Sequence, residues 1–232
     1  MTLSASELTE REAHAPARRC RNCGTALGSE VICPTCDLLQ TLGPQTDYFQ
    51  ALGVPRRLTL DPAALEAAFH ERSRRYHPDF YRSRPRSRLA ALENSALVNR
   101  AYRTLRDPLT RADYLLRLER PSSAGGEQSP PQELFLQILE LQELLETWEG
   151  AERAERAALR PQLAARRADL EAKIEARRRR LIDELAPRWD ALPETDRAAR
   201  EAVLDELERL LGERGYLSRA LDGLTAALEG RE

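Results

Sequence analysis

Four cysteines near the start of the chain constrain its folding more than any other feature. They form two pairs, Cys20-x-x-Cys23 and Cys33-x-x-Cys36, with nine residues between the pairs. Each pair can present two thiolates from one tight turn, and four thiolates can close a tetrahedron around a single Zn²⁺. Gly24 and Pro34 suit the unusual backbone angles of such knuckle turns. The spacing therefore predicts a metal-binding module over residues 19–40.

Cysteine ligands at all four positions leave no coordination site open for a substrate water, so we expect a structural zinc ion. A labile iron or redox site and a metal-free module are the alternatives; a reducing cytoplasm would not preserve disulfides. About twenty residues make only a small core, so zinc should supply much of the module's folding free energy. A chelator is expected to unfold this module and leave the helices intact.

Composition points to helices in the rest of the chain. Charged residues make up 32% of the 232 residues, apolar residues 41% and aromatic residues 5%, and no segment alternates with a period of two. The predicted fold is mainly α with a small zinc ribbon or knuckle. The formal charge of −2 gives no global attraction for nucleic acid. We expect no membrane partner, because no apolar run approaches the roughly 18 residues that span a bilayer.

The start of the chain is predicted to be polar and disordered over residues 1–18. Its first nineteen residues lack an apolar stretch and carry Glu7, Glu10 and Glu12, which argues against a targeting segment and favours a cytoplasmic location. Residues 119–131 are rich in Pro, Gly and Ser and are predicted to be a linker.

Helical periodicity begins at Tyr48. Asp61 is a plausible N-cap with Pro62 at the first helical position, and this helix should end at His77-Pro78. Its predicted buried face is Leu65, Phe69 and Tyr76. A second helix should start near Arg86 and run antiparallel to the first. Its predicted buried residues are Leu89, Leu92, Val98, Tyr102 and Leu105. Asp107 then caps a short helix that should bury Leu109, Ala112, Leu115 and Leu116.

Residues 132–229 are predicted to be an elongated bundle of three long helices. The expected interruptions lie near Gly150, at Pro187 to Pro193, and more weakly at Gly212 and Gly215.

The tripeptide His77-Pro78-Asp79 lies between the two antiparallel helices, just after Arg72, Arg74 and Arg75. From His70 to Arg88 there are seven arginines and two acidic residues, a local excess of five positive charges. Such a group can steer an acidic partner, although a solvated helix face is the simpler interpretation of any one arginine. The tripeptide also has a purely structural interpretation, in which it stops a helix and caps a turn.

Longer segments around this tripeptide resemble the J domain, and specifically the HscB type of co-chaperone in iron–sulfur cluster assembly. They are DYF at Asp47 to Phe49 and SALVNRAYRTLRDPLTRADYLL from Ser95 to Leu116. The resemblance implies a J domain over 45–118 that binds a DnaK- or HscA-type chaperone and stimulates its ATPase. The implied chaperone-binding residues are Arg72, Arg74, Arg75, His77, Pro78 and Asp79. It implies no catalytic residue in this chain.

One departure from the J-domain pattern follows the aspartate. The family often has a basic residue there, whereas this chain has Phe80 and Tyr81. We expect these rings to pack on the edge of the core because of their size and adjacency; contact with the partner is the alternative.

The first helix of the predicted bundle carries more apolar residues than one buried face needs. That face is Leu134, Ile138, Leu141, Leu145 and Trp148. Phe135, Leu136 and Leu139 lie on an adjoining side, where they either widen the buried stripe or form a partner site. The resemblance to HscB implies a site for the scaffold protein of the IscU type. Its implied residues are Phe135, Leu136, Leu139, Glu140, Glu143 and Tyr216.

Three other functions compete with this interpretation. A general client-binding J protein with zinc-assisted substrate recognition would keep the role of His77-Pro78-Asp79. A nucleic-acid-binding protein is disfavoured because the cysteine module has few aromatic residues and the helices lack a basic stripe. An enzyme is disfavoured because the sequence has no phosphate loop and no evident nucleophile and base pair. A homodimer formed through the zinc module stays open.

Overall fold

The computed structural model describes residues 19–27, 31–121 and 131–229. The predicted disorder of residues 1–18 and most of the predicted linker lie outside these ranges. The described residues form two compact units, the first comprising 19–55 and 61–105, the second comprising 56–60 and 106–229. The predicted domain limits, 45–118 and 132–229, differ from this division and stay predictions.

The helices of the first unit are α1, Tyr48–Leu52, α2, Pro62–Arg75, and α3, Pro85–Leu105, with a 3₁₀ turn at Pro78–Tyr81 between α2 and α3. Asp61 caps α2 by accepting hydrogen bonds from the backbone N–H groups of Ala63 and Ala64, and Pro62 takes the first helical position. The predicted helical hairpin with His77-Pro78 at its turn is therefore confirmed.

The buried face of α3 differs from the predicted one. Val98 and Leu105 are fully buried as expected, but Leu89 and Leu92 are 60% and 49% exposed. The buried positions of the first half of α3 are Ser87, Ala90, Ala91 and Asn94. Small and polar residues occupy this face because the backbone of residues 39–42 lies against it and needs hydrogen-bonding partners. The expectation for Leu89 and Leu92 is therefore wrong.

The second unit contains long helices whose ends mostly match the predicted interruptions. They are α4, Pro108–Glu119, α5, Gln132–Gly150, α6, Arg153–Arg180, α7, Ala186–Ala191, and α8, Arg197–Glu229, with a π-helical segment at Leu181–Leu185. The break near Gly150 is confirmed. Pro187 lies in the first turn of α7, where proline is tolerated, so the second break falls at residues 192–196. Gly212 and Gly215 lie inside α8 and do not interrupt it.

The bundle core joins α5, α6 and α8. Its buried residues are Leu134, Leu141, Trp148, Leu163, Leu170, Leu217 and Leu224, with Ile138 and Leu145 packed against them. This confirms the predicted buried face of α5. Asp107 caps α4, and the four predicted apolar residues of α4 are buried. Among the described residues, no helix combines the length and apolar character needed to cross a membrane.

Candidate functional site

The four cysteine sulfurs converge on one point. All four Sγ atoms lie within 4.8 Å of one another. Each pair closes an equivalent turn, in which the N–H of Gly24 donates to the carbonyl of Cys20 at 3.0 Å and the N–H of Asp37 donates to the carbonyl of Cys33 at 2.9 Å. Both Gly24 and Asp37 have positive φ, at 75° and 56°. Two knuckles of the same geometry thus present four sulfurs as one donor set.

Nearby hydrogen-bond donors lower the pKa of the Cys20 and Cys23 thiols, whereas burial and the neighbouring cysteines raise the pKa of Cys36 to about 11 against an opposing backbone hydrogen bond. The N–H of Asn22 and the side-chain amide of Gln40 each lie 3.4 Å from the Cys20 sulfur. The Gln40 side chain is buried, and its oxygen accepts from the N–H of Arg21 at 3.1 Å. Hydrogen bonds from the side chain and backbone of Thr25 lower the pKa of the Cys23 thiol to about 6. The clustering of four sulfurs fits a metal ion that prefers sulfur ligands.

The module, residues 19–40, is joined to α3 by hydrogen bonds that the sequence did not reveal. The Ser87 hydroxyl accepts from the buried N–H of Leu39 at 3.2 Å. The Asn94 side chain accepts from the N–H of Leu42 at 2.7 Å and donates to the carbonyl of Gln40 at 3.0 Å. Asp37 and Arg84 add an exposed ion pair. The module is part of the same packed unit as α3.

His77, Pro78 and Asp79, called the HPD turn below, begin the short 3₁₀ segment after α2. The ring Nδ1 of His77 accepts a hydrogen bond from the backbone N–H of Asp79 at 3.3 Å, so a neutral ring carries its proton on Nε2. Arg82 binds the Asp79 carboxylate with two nitrogens, at 3.2 and 2.9 Å. The HPD-x-x-R spacing in the sequence is the signal from which this ion pair could have been predicted.

The structure groups only some of the predicted chaperone-binding residues. A hollow of about 570 Å³ is lined by His70, Ser73, Arg74, His77, Asp79 and Phe80. Arg72 is directed elsewhere, because its Nε lies 3.4 Å from the carbonyl of Leu52. The carbonyl of Arg75 accepts from the Tyr81 hydroxyl at 3.0 Å, which anchors the end of the 3₁₀ segment to the end of α2.

The two aromatic residues after Asp79 behave differently from each other. Tyr81 is half-buried, and burial raises the pKa of its hydroxyl. Phe80 is 72% exposed, so the expectation that it packs on the core is wrong. The Phe80 N–H is hydrogen-bonded within the 3₁₀ turn. This backbone conformation directs the ring away from the core of the helical hairpin and places it beside the His77 ring.

The second candidate surface lies on α5 and α8. Phe135, Leu136 and Leu139, called the α5 strip below, are 42% to 54% exposed, which excludes the alternative that the bundle core buries them. Phe135, Leu139 and Tyr216 line one cleft of about 520 Å³. The guanidinium of Arg219 lies 4.5 Å from the centre of the Tyr216 ring at this cleft.

The other predicted scaffold-binding residues lie along α5. Leu136 and Glu143 are exposed, and Glu140 pairs with Arg166 of α6 at 3.1 Å. Apolar cleft walls with a few charged groups at the rim suit the binding of a protein segment.

Comparison with known proteins agrees with this geometry. Residues 47–114 match the family model described as DnaJ domain, so this part of the chain is a J domain. The crystal structure of human co-chaperone protein HscB matches with a TM-score of 0.59 and 24% identity, covering 92% of this chain and 100% of the human chain. Chaperone HscB from Vibrio cholerae is 28% identical with a TM-score of 0.45, over 76% of this chain and 98% of the other. The chain has an HscB-like, mainly α fold with a four-cysteine cluster positioned for a metal ion.

Proposed function

We propose that this protein is a co-chaperone that stimulates the ATPase of a DnaK- or HscA-type chaperone and delivers an IscU-type iron–sulfur scaffold protein to it. The observation that carries the proposal is the combination of a J domain at 47–114 with the fold of human HscB. ATP hydrolysis is then the chemistry of the partner, and this chain contributes binding surfaces and no reacting group.

The chaperone would bind at the HPD turn. His77 and Asp79 are exposed, and Arg74 adds positive charge in the same hollow. Asp79 is held by a single internal arginine, Arg82, in an exposed pair that contributes little to folding stability. Its carboxylate can therefore exchange Arg82 for a cation of the chaperone at a small cost. The surrounding arginines would accelerate encounter with an acidic surface.

The scaffold protein would bind at the α5 strip and the adjoining cleft. Three large apolar side chains are exposed together there, and a contiguous apolar patch of this kind on a protein surface is typical of a site that binds a partner. Tyr216 closes the opposite wall of the cleft. Burial of such a compact apolar group under a partner supplies the central part of a typical protein interface, with Glu140 and Glu143 at its rim.

The metal that we propose for this protein is a structural zinc ion held by Cys20, Cys23, Cys33 and Cys36. Four thiolates within one donor set suit Zn²⁺, which prefers tetrahedral sulfur coordination. The proposal places the protein in the cytoplasm, where reducing conditions keep these cysteines available as ligands instead of forming disulfides.

An ATPase assay with a DnaK- or HscA-type chaperone tests the first half of the proposal. Wild-type protein should raise the hydrolysis rate severalfold, and Asp79→Asn should lose this stimulation. Asp113→Asn is the matched control, because the half-exposed Asp113 side chain is also paired with an arginine, Arg117. Full stimulation by Asp79→Asn, or equal loss in the control, would contradict the proposed role of the HPD turn.

Titration of an IscU-type scaffold protein tests the second half. Leu136→Ala and Leu139→Ala should each raise the dissociation constant by about 10-fold, as expected for central apolar contacts. Leu92→Ala is the control, since Leu92 is an equally exposed leucine on a helix of the other unit. Unchanged affinity in both α5 variants would exclude this surface.

A general client-binding J protein is the second candidate, favoured by the apolar lining of the cleft, which accepts varied apolar side chains. It predicts that the protein suppresses aggregation of unrelated unfolded proteins and shows no preference for the scaffold. A competition assay with an unfolded client and the scaffold distinguishes the two.

A further inference from the structure

Phe80 combines a large apolar ring with the highest exposure of any large apolar side chain in the described residues, 72%. An exposed phenylalanine next to a functional turn is unusual, because burial of an aromatic ring is one of the larger favourable contributions available to a folding chain. The folding of the first unit does not bury the Phe80 ring. The ring is thus available to a partner.

The 3₁₀ turn holds the backbone of Phe80, and the ring lies against His77. Its N–H donates to the carbonyl of His77 at 3.1 Å within the 3₁₀ turn. The two rings meet nearly edge to face, with centroids 5.9 Å apart and an interplanar angle of 67°. The backbone at this position is thus ordered in advance, which reduces the entropy lost when a partner binds.

Phe80 also shares one hollow with charged groups of the HPD turn. Arg74, His77 and Asp79 line the same hollow as the ring. A protein that enters this hollow to reach Asp79 can therefore contact Phe80 as well. Because the surrounding segment carries an excess of arginine, the complementary surface is an acidic rim around an apolar recess.

We propose that Phe80 is an apolar anchor that inserts into a recess on the ATPase domain of the DnaK-type chaperone, beside the contact made by Asp79. The inference rests on the proposed function and deepens it. It divides the surface into two roles, in which the arginines set the rate and salt dependence of encounter and Phe80 holds the complex once it has formed.

The test measures ATPase stimulation over a range of co-chaperone concentrations, together with the dissociation constant for the ATP-loaded chaperone. Phe80→Ala should raise both the half-maximal concentration and the dissociation constant by about 10-fold, with maximal stimulation retained at saturation. Phe80→Leu should lose less, because it keeps part of the apolar surface. Leu92→Ala, an exposed apolar truncation on α3, should change neither value.

Salt and stability measurements separate the anchor from other roles. The loss caused by Phe80→Ala should be the same at low and high salt, whereas Arg74→Ala should matter mainly at low salt. The thermal midpoint of Phe80→Ala should equal that of the wild type, since the ring is exposed.

Each other outcome has one meaning. If wild type stimulates the chaperone and Phe80→Ala is indistinguishable from it, the anchor is refuted and the proposed function stands. If Phe80→Ala abolishes maximal stimulation as Asp79→Asn does, Phe80 is required for the stimulation of ATP hydrolysis itself. The assignment of Phe80 as an anchor that only holds the complex is then wrong. If wild type gives no stimulation, the proposed function fails first.

Discussion

Individual buried polar residues explain where inference from the sequence failed. A helical pattern assigns large apolar residues to the core, so Leu89 and Leu92 were expected inside. The element that faces α3 is the backbone of residues 39–42, and its N–H and C=O groups need partners when buried. Ser87 and Asn94 supply those partners. Polar residues therefore take the core positions, and the leucines turn outward.

Asn94→Ala should destabilise the first unit by about 2–4 kcal/mol, because it leaves a partly buried N–H of Leu42 and a buried carbonyl of Gln40 without their partner. Denaturant unfolding of the full chain measures this loss. Asn99→Ala is the control, since Asn99 is exposed on the same helix, and it should stay within about 0.5 kcal/mol of wild type. Equal stability of the two variants would contradict the assigned role of Asn94.

Local chemistry made some residues predictable and others not. The caps at Asp61 and Asp107 and the clustering of the four cysteines were predicted correctly, because a cap or a cysteine knuckle depends on spacing within a few residues. The positive φ of Asp37 was missed, because an aspartate marks this conformation less clearly than a glycine does. The exposure of Phe80 was missed because ring size indicates burial only when the backbone directs the ring inward.

At the scale of elements, the four-cysteine module and α3 form one structure. The sequence led us to expect that metal removal would leave every helix intact. The backbone N–H groups of Leu39 and Leu42 donate hydrogen bonds to side chains of α3, and these two residues follow soon after Cys36, the last of the four cysteines. Loss of the metal should therefore also loosen the first half of α3.

A chelator should increase amide hydrogen exchange in residues 31–42 and in the first half of α3, because both sides of their shared hydrogen bonds become exposed. The bundle helices α5, α6 and α8 belong to the other unit and serve as the internal control, with unchanged exchange. Cys33→Ser should reproduce the effect without a chelator. Metal release with unaltered exchange in α3 would show that the module folds separately.

A cluster of ion pairs connects the end of α4 to α8. Arg120, only 17% exposed, pairs with Glu201, Asp205 and Glu208. The guanidinium donates hydrogen bonds to these carboxylates, and those to Glu201 and then Asp205 raise its pKa above the usual value. Such a partly buried network contributes more than a single exposed pair.

Arg120→Ala should lower the free energy of unfolding by about 1–2 kcal/mol, after allowance for the solvent screening of its exposed partners. Arg117→Ala removes one exposed pair with Asp113 on the same helix and should cost only about 0.3–0.5 kcal/mol. Thermal unfolding at low and high salt measures both changes. The difference between the variants should shrink as salt rises, and a constant difference would mean that Arg120 acts through packing instead of charge.

At the scale of the whole molecule, the order of the elements was predictable and the division into units was not. Periodicity, caps and breakers depend on neighbouring residues, so α2, α3, α5 and α8 could be located from the sequence. The segment 56–60 is held by Asp190, which accepts from the N–H groups of Leu58 and Thr59 at 2.8 and 2.6 Å. A contact across some 130 positions leaves no periodic signal in one sequence. For that reason this segment could not be assigned to the second unit in advance.

The two proposed binding surfaces carry opposite charge. The segment from His70 to Arg88 has seven arginines and two acidic residues, whereas glutamate is the only charged residue type from Gln132 to Glu152. The chaperone surface is rich in charge, and the scaffold surface is centred on exposed apolar side chains. Their salt dependence should therefore differ, because screening weakens charge steering and leaves apolar burial nearly unchanged.

Titrations of the two partners between roughly 0.03 M and 0.3 M salt test this difference, since screening by ions increases strongly over that range. Chaperone affinity should fall steeply, and scaffold affinity should change much less. Asp79→Asn should leave scaffold affinity as in wild type, and Leu139→Ala should leave stimulation by the co-chaperone alone as in wild type, because each residue lies in a different unit. A double variant with both substitutions should then show the loss of stimulation of the first and the weaker scaffold binding of the second, each of the same size as in the single variant. Equal salt slopes for the two partners, or a loss of scaffold binding in Asp79→Asn, would mean that one shared surface serves both.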